Sequence, residues 1–175
     1  MVQFYTLSLP GEIAEMKWDW IDFDNDVIRF PAEIMKTGRV HEVPMSKQLK
    51  ILLQGMPRVY EYVFTSDHFK RKGEPINRES VRLMFSKAGL GGIQTAHGIR
   101  SIGATWLAEL GIREDVAELC LAHSSDNQVR KAYQRSEFLD KRRPVMQQCF
   151  DYVDECRAKA HEKVRKELTK QSYFE

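Results

Sequence analysis

The chain has no apolar run long enough to span a bilayer, and its start lacks the charged region of a secretory signal. A membrane role therefore finds no support in the pattern, and the expected location is the cytoplasm. Cysteine is scarce. The three present, Cys120, Cys149 and Cys156, show neither a CxxC spacing nor a His at zinc-finger intervals. That argues against a disulfide framework or a structural zinc site and suits reduced thiols. An excess of one charge is also missing, because 27 Lys plus Arg stand against 25 Asp plus Glu, a net +2. Dedicated nucleic-acid binders are often far more basic, so any such field must come from local clusters. Lys70-Arg71-Lys72, Arg130-Lys131 and Lys141-Arg142-Arg143 are the candidates, although a charge run alone is more often just a solvated face. Internal repeats are absent.

What is present suits one domain. The 175 residues are 42% apolar and 30% charged, enough to bury a real core. Met1 to Leu9 reads as the middle of an apolar helix or strand, which suggests a truncated gene. Pro10-Gly11-Glu12 opens a short helix, Ile13 to Trp18, with Glu12 near the positive end of the dipole. Asp22 to Asp26 is a polar turn and Val27 to Phe30 a strand closed by Pro31. Ile34–Lys36 and Val40–Pro44 flank Thr37-Gly38-Arg39 and predict a hairpin with Gly38 in the turn and Lys36 beside its tip. Ser46 caps a helix to about Gln54 with Leu49, Leu52 and Leu53 inward. Tyr62–Phe64 reads as a brief strand and Asp67–Pro75 as a basic loop.

Asn77 caps the next helix, whose Val81, Met84 and Phe85 repeat at helical spacing, and Gly89, Gly91 and Gly92 end it. The spacing predicts a longer helix over Thr95–Leu110, with Ile99, Ile102, Trp106 and Leu110 buried and Gly111 as its stop. Another follows over Arg113–Ala122, with Val116, Leu119 and Cys120 inward. From Ser136 the pattern is helical again, interrupted by Pro144. Beyond Cys156 a charged tail reads as a solvated helix or a partly disordered end. Two segments result, 1–155 as the folded domain and 156–175 as the tail.

The chemistry concentrates between His97 and Tyr133. His97 and Arg100 lie three apart, so a helix would present an imidazole and a guanidinium on one face. A guanidinium fork matches two phosphate oxygens, His123 adds a third donor, and Tyr133 carries a hydroxyl able to act as a nucleophile. Singly, each has a plainer reading: a polar helix face, a C-terminal cap, a core tyrosine with its hydroxyl at the surface. Together they read as phosphoryl-transfer equipment that needs no metal and no cofactor.

These stretches carry a resemblance. His97-Gly98-Ile99-Arg100, Leu121-Ala122-His123 and Asn127 to Arg135 resemble the catalytic domain of tyrosine recombinases, the phage-integrase family, and within it the integrases of prophages and genomic islands. Arg142-Arg143 with Met146 fits that subgroup's ending. Met35-Lys36 followed by His41-Glu42-Val43-Pro44 is similar to the hairpin bearing the family's catalytic lysine. The resemblance covers residues 4 to 153 or so. It implies an α+β, mainly α-helical domain with a small antiparallel three-stranded sheet, lacking the N-terminal DNA-binding domains.

It also implies site-specific DNA recombination and integration at double-stranded attachment sites. Tyr133 would attack a phosphodiester to give a 3′-phosphotyrosine and a free 5′-hydroxyl. Arg100 and His123 would stabilise the developing charge, and His97 would orient the phosphate or assist Tyr133. Lys36 would protonate the leaving oxygen, and these groups are expected to meet in one basic concavity. Four subunits would assemble on two duplexes, the C-terminal segment docking on a neighbour.

One position departs from the family. The first catalytic arginine belongs just before Pro10-Gly11-Glu12, where this chain has Leu9. Glu12 matches, and a leucine cannot donate to a phosphate oxygen, so impaired cleavage is expected. The alternative is a catalytically inactive DNA-binding or assembly module that retains the fold. A type IB topoisomerase-like enzyme would share the chemistry, but the Leu121-Ala122-His123 to Tyr133 arrangement fits integrases more closely.

Overall fold

Val27–Phe30 is the middle strand, β2, of a three-stranded antiparallel sheet, between β1 (Ile21–Asp22) and β3 (His41–Pro44). The register pairs Ile28 with Ile21 on one side and with Val43 on the other, and sets Phe30 opposite His41. Val27, Ile28 and Phe30 are fully buried, while Arg29 points outward and bridges Asp22 and Glu42 at 2.8 and 3.0 Å. This computed structural model describes residues 1–122 and 134–171, with the side chains of 1–122 and 138–166.

Helices surround the sheet: α1 (Val2–Thr6), α2 (Pro10–Ala14), α3 (Lys47–Gln54), α4 (Arg78–Phe85), α5 (Gly98–Glu109), α6 (Glu114–Cys120) and α7 (Gln134–Gln171). The fold is therefore α+β and mainly helical, with one small antiparallel sheet. The caps act where expected. Ser46 Oγ accepts from the Leu49 N–H at 3.1 Å and the Asn77 side chain from Glu79 at 3.0 Å, each satisfying an orphan donor of a first turn.

Several expectations need correction. The strand partner of His41–Pro44 is β2, not Ile34–Lys36. Residues 31–40 form successive turns joining β2 to β3, because β2 brings three buried apolar side chains, Val27, Ile28 and Phe30, to the pairing and Ile34–Lys36 buries only Met35. Lys36 thus sits in the connection. The second helix ends at Ala14, and Trp18–Trp20 forms a separate short turn. Tyr62 makes only an isolated bridge to Lys17.

On α5 the buried line is Ile99, Gly103 and Leu107, at successive i, i+4 positions, whereas Ile102 is 52% exposed. The cause lies on α1's side. Leu7, in the left-handed region at φ 53°, fills the space over Gly103, where an added Cβ would stand 2.7 Å from Leu Cδ2. On α4, Val81 is buried but Met84 faces out.

Pro144 does not break the last helix. It lies exposed inside α7, where it leaves the carbonyl of Asp140 without its intrahelical N–H partner. Meanwhile Met146, Cys149 and Phe150 on the other face are buried. Tyr5 and Phe150 meet edge to face at 5.2 Å, and the Tyr5 hydroxyl donates to Asp154 at 2.7 Å, tying α7 to α1. Gln147 and Gln48 tie it to α3 at 2.9 Å. From Arg157 to Lys166 the side chains are exposed along a continuing helix. Among the described residues no helix is long and apolar enough to cross a membrane.

Candidate functional site

A cavity of about 1030 Å³ opens between the start of α2, the β2–β3 connection, α4 and the approach to α5. Leu9, Lys36 and His97 all line it, although they lie far apart in sequence. Each arrives by a local device. Lys36 is exposed on the turns before Gly38, whose φ of 62° favours glycine. His97 is exposed at the N-cap of α5, where the Thr95 hydroxyl accepts from the Gly98 N–H at 3.0 Å. Leu9 is the N-cap of α2, and its N–H donates to the Glu12 carboxylate at 2.7 Å, half of a capping box.

Arg100 does not line the cavity. One turn into α5 and half-buried, it is pinned from two sides: Nη1 donates to the Leu7 carbonyl at 3.4 Å, and Nη2 to the Leu121 carbonyl. Burial lowers its pKa, and the charge of Glu12 acts the other way. Glu12 is 4% exposed; burial raises its carboxyl pKa, while the Leu9 N–H and Arg100 oppose that shift. With five N–H donors, a guanidinium making these two bonds keeps others to offer. His123 and Tyr133 lie outside the described residues.

The cavity is not basic by formal count, contrary to expectation. Glu12, Glu15, Glu33 and Glu79 match Lys36, Arg71, Arg78 and Arg82 one for one, leaving His97 over. Arg82 is held by Glu79 at 2.8 Å, so part of its charge is spent within α4. Among the described residues no cluster of His, Cys, Asp and Glu could hold a metal ion.

Two residues escaped the sequence reading as parts of this region. His41, opposite Phe30 and stacked on its ring at 6.5 Å, has an imidazole held neutral, its pKa brought down to about 3 by burial and then by the charges of Arg142 and Arg100. Arg142, taken as part of a charge run and of the subgroup's ending, is 5% exposed. Its Nη1 donates to the carbonyls of Glu42 at 2.6 Å and Leu119 at 3.2 Å. The signal available beforehand was alternation: His41 shares the inward face of β3 with Val43.

The Phage integrase family model matches residues 1–139. The chain is 41% identical over 156 residues to the prophage integrase IntA of Escherichia coli strain K12, covering 87% of this chain and 37% of that one. It is 36% identical over 155 residues to the integrase of Shigella phage Sf6, covering 86% and 40%. The chain thus spans less than half the length of these curated relatives. Among solved structures, the integrase from mycobacterium phage Brujita superposes with a TM-score of 0.64 at 20% identity, covering 85% of this chain and 49% of that one. The lambda integrase catalytic core gives 0.53 at 24% identity, covering 73% and 78%. A dimer of lambda integrase residues 75–356 bound to a COC′ core site is a further neighbour, with a TM-score of 0.55 at 23% identity, covering 74% and 48%.

Proposed function

Because the chain belongs to the phage integrase family, we propose that it carries the strand-cleaving and rejoining centre of a site-specific recombinase acting on double-stranded attachment sites. Tyr133 is the nucleophile. Its oxygen attacks the phosphorus of a phosphodiester, a 3′-phosphotyrosine forms, and the 5′-oxygen leaves as a hydroxyl. Lys36 gives that oxygen its proton, a general-acid contribution worth roughly 10²–10⁴-fold. Arg100 and His123 stabilise the five-coordinate phosphorus, and His97 orients the phosphate or assists removal of the Tyr133 proton. The ester keeps the bond energy, so rejoining is the same step run backwards, without ATP or metal. Four subunits on two duplexes would exchange strands.

The observation that carries the reading is the shared cavity. Lys36, His97 and position 9 face one space, and Arg100 is fixed to the Leu7 carbonyl two residues from that position. The same observation favours the second reading, an inactive DNA-binding or assembly module. Leu9 lines the wall where a donor would serve a phosphate, and it brings only methyl groups.

A nicked suicide duplex, from which the released 5′ fragment diffuses away, separates the two when the chain is joined to the N-terminal DNA-binding region of a relative. Little covalent adduct should form with Leu9. Leu9→Arg should raise trapping by orders of magnitude, since losing an arginine in phosphoryl transfer costs roughly 10³–10⁵. Adding Tyr133→Phe should abolish the adduct. If Leu9→Arg traps nothing, the module reading stands; if the Leu9 chain already cleaves as well as its Arg variant, another donor fills that place, and Arg39 is the first to test.

A further inference from the structure

The last turn of α6 is held by two guanidinium groups that reach it from different helices. Arg100, from α5, donates to the Leu121 carbonyl, and Arg142, from α7, donates to the Leu119 carbonyl at 3.2 Å. Leu119 and Leu121 stand at the negative end of the α6 dipole, where unpaired carbonyls favour cations. Ala122 leaves the helical region at φ 51°, and its N–H reaches the Leu119 carbonyl only at 3.4 Å, longer than the Arg142 bond. Arg142 does more than cap. The same Nη1 also donates to the Glu42 carbonyl of β3 at 2.6 Å, and Nε donates to Phe138 within α7 at 3.3 Å. One nitrogen thus joins the sheet to the end of α6.

A guanidinium that is 5% exposed and bonded to carbonyls is costly to bury; a hydrophobic side chain of similar volume often serves stability as well. Its place there fits a role beyond stability. We propose that Arg142 is a positioning residue for Arg100: by fixing the α6 terminus against β3, it holds the Leu121 carbonyl that aims the Arg100 guanidinium. Arg142 itself is sealed from DNA, so its effect on a phosphate passes through Arg100. His41 stands beside both cations as a neutral spacer, and Glu12 faces Arg100 from α2. The inference rests on the reading of Arg100 as a phosphate ligand.

The test uses the 175-residue chain, a short labelled duplex, and binding measured across a salt series. Arg100→Met removes one phosphate contact and should make the slope of log K against log salt shallower by about 0.9. Arg142→Met should produce the same change although it touches no phosphate, and the double variant should add nothing further. Arg142→Lys keeps the charge but lacks the Nε donor that ties the side chain to Phe138 and the fixed geometry of a guanidinium, so it should follow Arg142→Met; it also carries the comparison if the methionine variant does not fold. In parallel, the Arg100 Nε–Hε NMR signal of the DNA-free protein should move in both Arg142 variants. A destabilising core variant, Leu53→Ala on α3, should leave it in place.

Folded Arg142 variants with the parental slope and an unmoved Arg100 signal overturn the proposal. If Arg100→Met leaves the slope unchanged, the phosphate reading of Arg100 fails instead. The NMR signal then decides the positioning on its own: movement sustains it, and its absence ends it.

Discussion

Replacing His41 with glutamine should flatten the acid side of the stability curve. His41 is packed on Phe30 and faces Arg142 and Arg100, so its folded-state pKa lies near about 3, below the ordinary 6.5 of an unfolded chain. Between those values the unfolded state binds a proton that the folded state refuses. Stability is therefore full above about pH 6.5 and falls as pH drops through the window, by up to about 1.4 kcal/mol per pH unit. Going from about pH 7.5 to about pH 5, the single-site expression gives a loss of about 2 kcal/mol from this residue. Solvent reaches part of His41, which makes that figure a ceiling. For a domain of this size it corresponds to roughly 4–8 °C in melting temperature.

Thermal unfolding of the parent and His41→Gln at matched pH values reads the difference directly. Asp22, whose carboxyl is held low by Arg29 and Asn25, and Glu12, raised by burial, titrate in both proteins and cancel. Parallel curves for the two proteins would refute the reasoning, because they would mean that His41 takes up its proton in the folded state at no cost.

Gly103→Ala should destabilise by about 1–3 kcal/mol, since the new methyl meets Leu7 at 2.7 Å; with Leu7→Ala the losses should be clearly less than additive in urea unfolding. Pro144→Ala should raise the melting temperature, because it restores an intrahelical bond at an exposed site of α7 where proline costs up to about 3 kcal/mol. Ser46→Ala should cost about 1 kcal/mol through loss of the bond to the Leu49 N–H. Binding of the chain to duplex DNA should be weak and fall steeply with salt, and salt-independent binding would exclude a phosphate-gripping surface.

Local chemistry was legible without coordinates. Ser46 and Asn77 are caps because their oxygens reach N–H groups two or three residues on, and β2 is a strand because its four residues include two β-branched side chains closed by Pro31. The order and type of Lys36, His97, Arg100, His123 and Tyr133 were readable as a phosphate-handling set, and the family model agrees with the resemblance that they carry. Burial was a different matter. The apolar pattern of α5 admits two stripes, and Leu7 packing on Gly103 chose the one through Leu107.

Pro144 looks like a breaker until the rest of α7 is seen anchored on α1 and α3. Arg142 reads as one more cation in a surface run, yet β3 and α6 converge on it with backbone carbonyls. Hydrogen-bond reach along a helix spans a few residues and is written in the sequence, whereas the partner that covers a face lies a hundred residues away. For that reason the sequence by itself determined the caps, the strand and the family. Only the tertiary structure decided which arginine is buried, which glycine admits its neighbour, and that Leu9 faces Lys36 and His97 across one cavity.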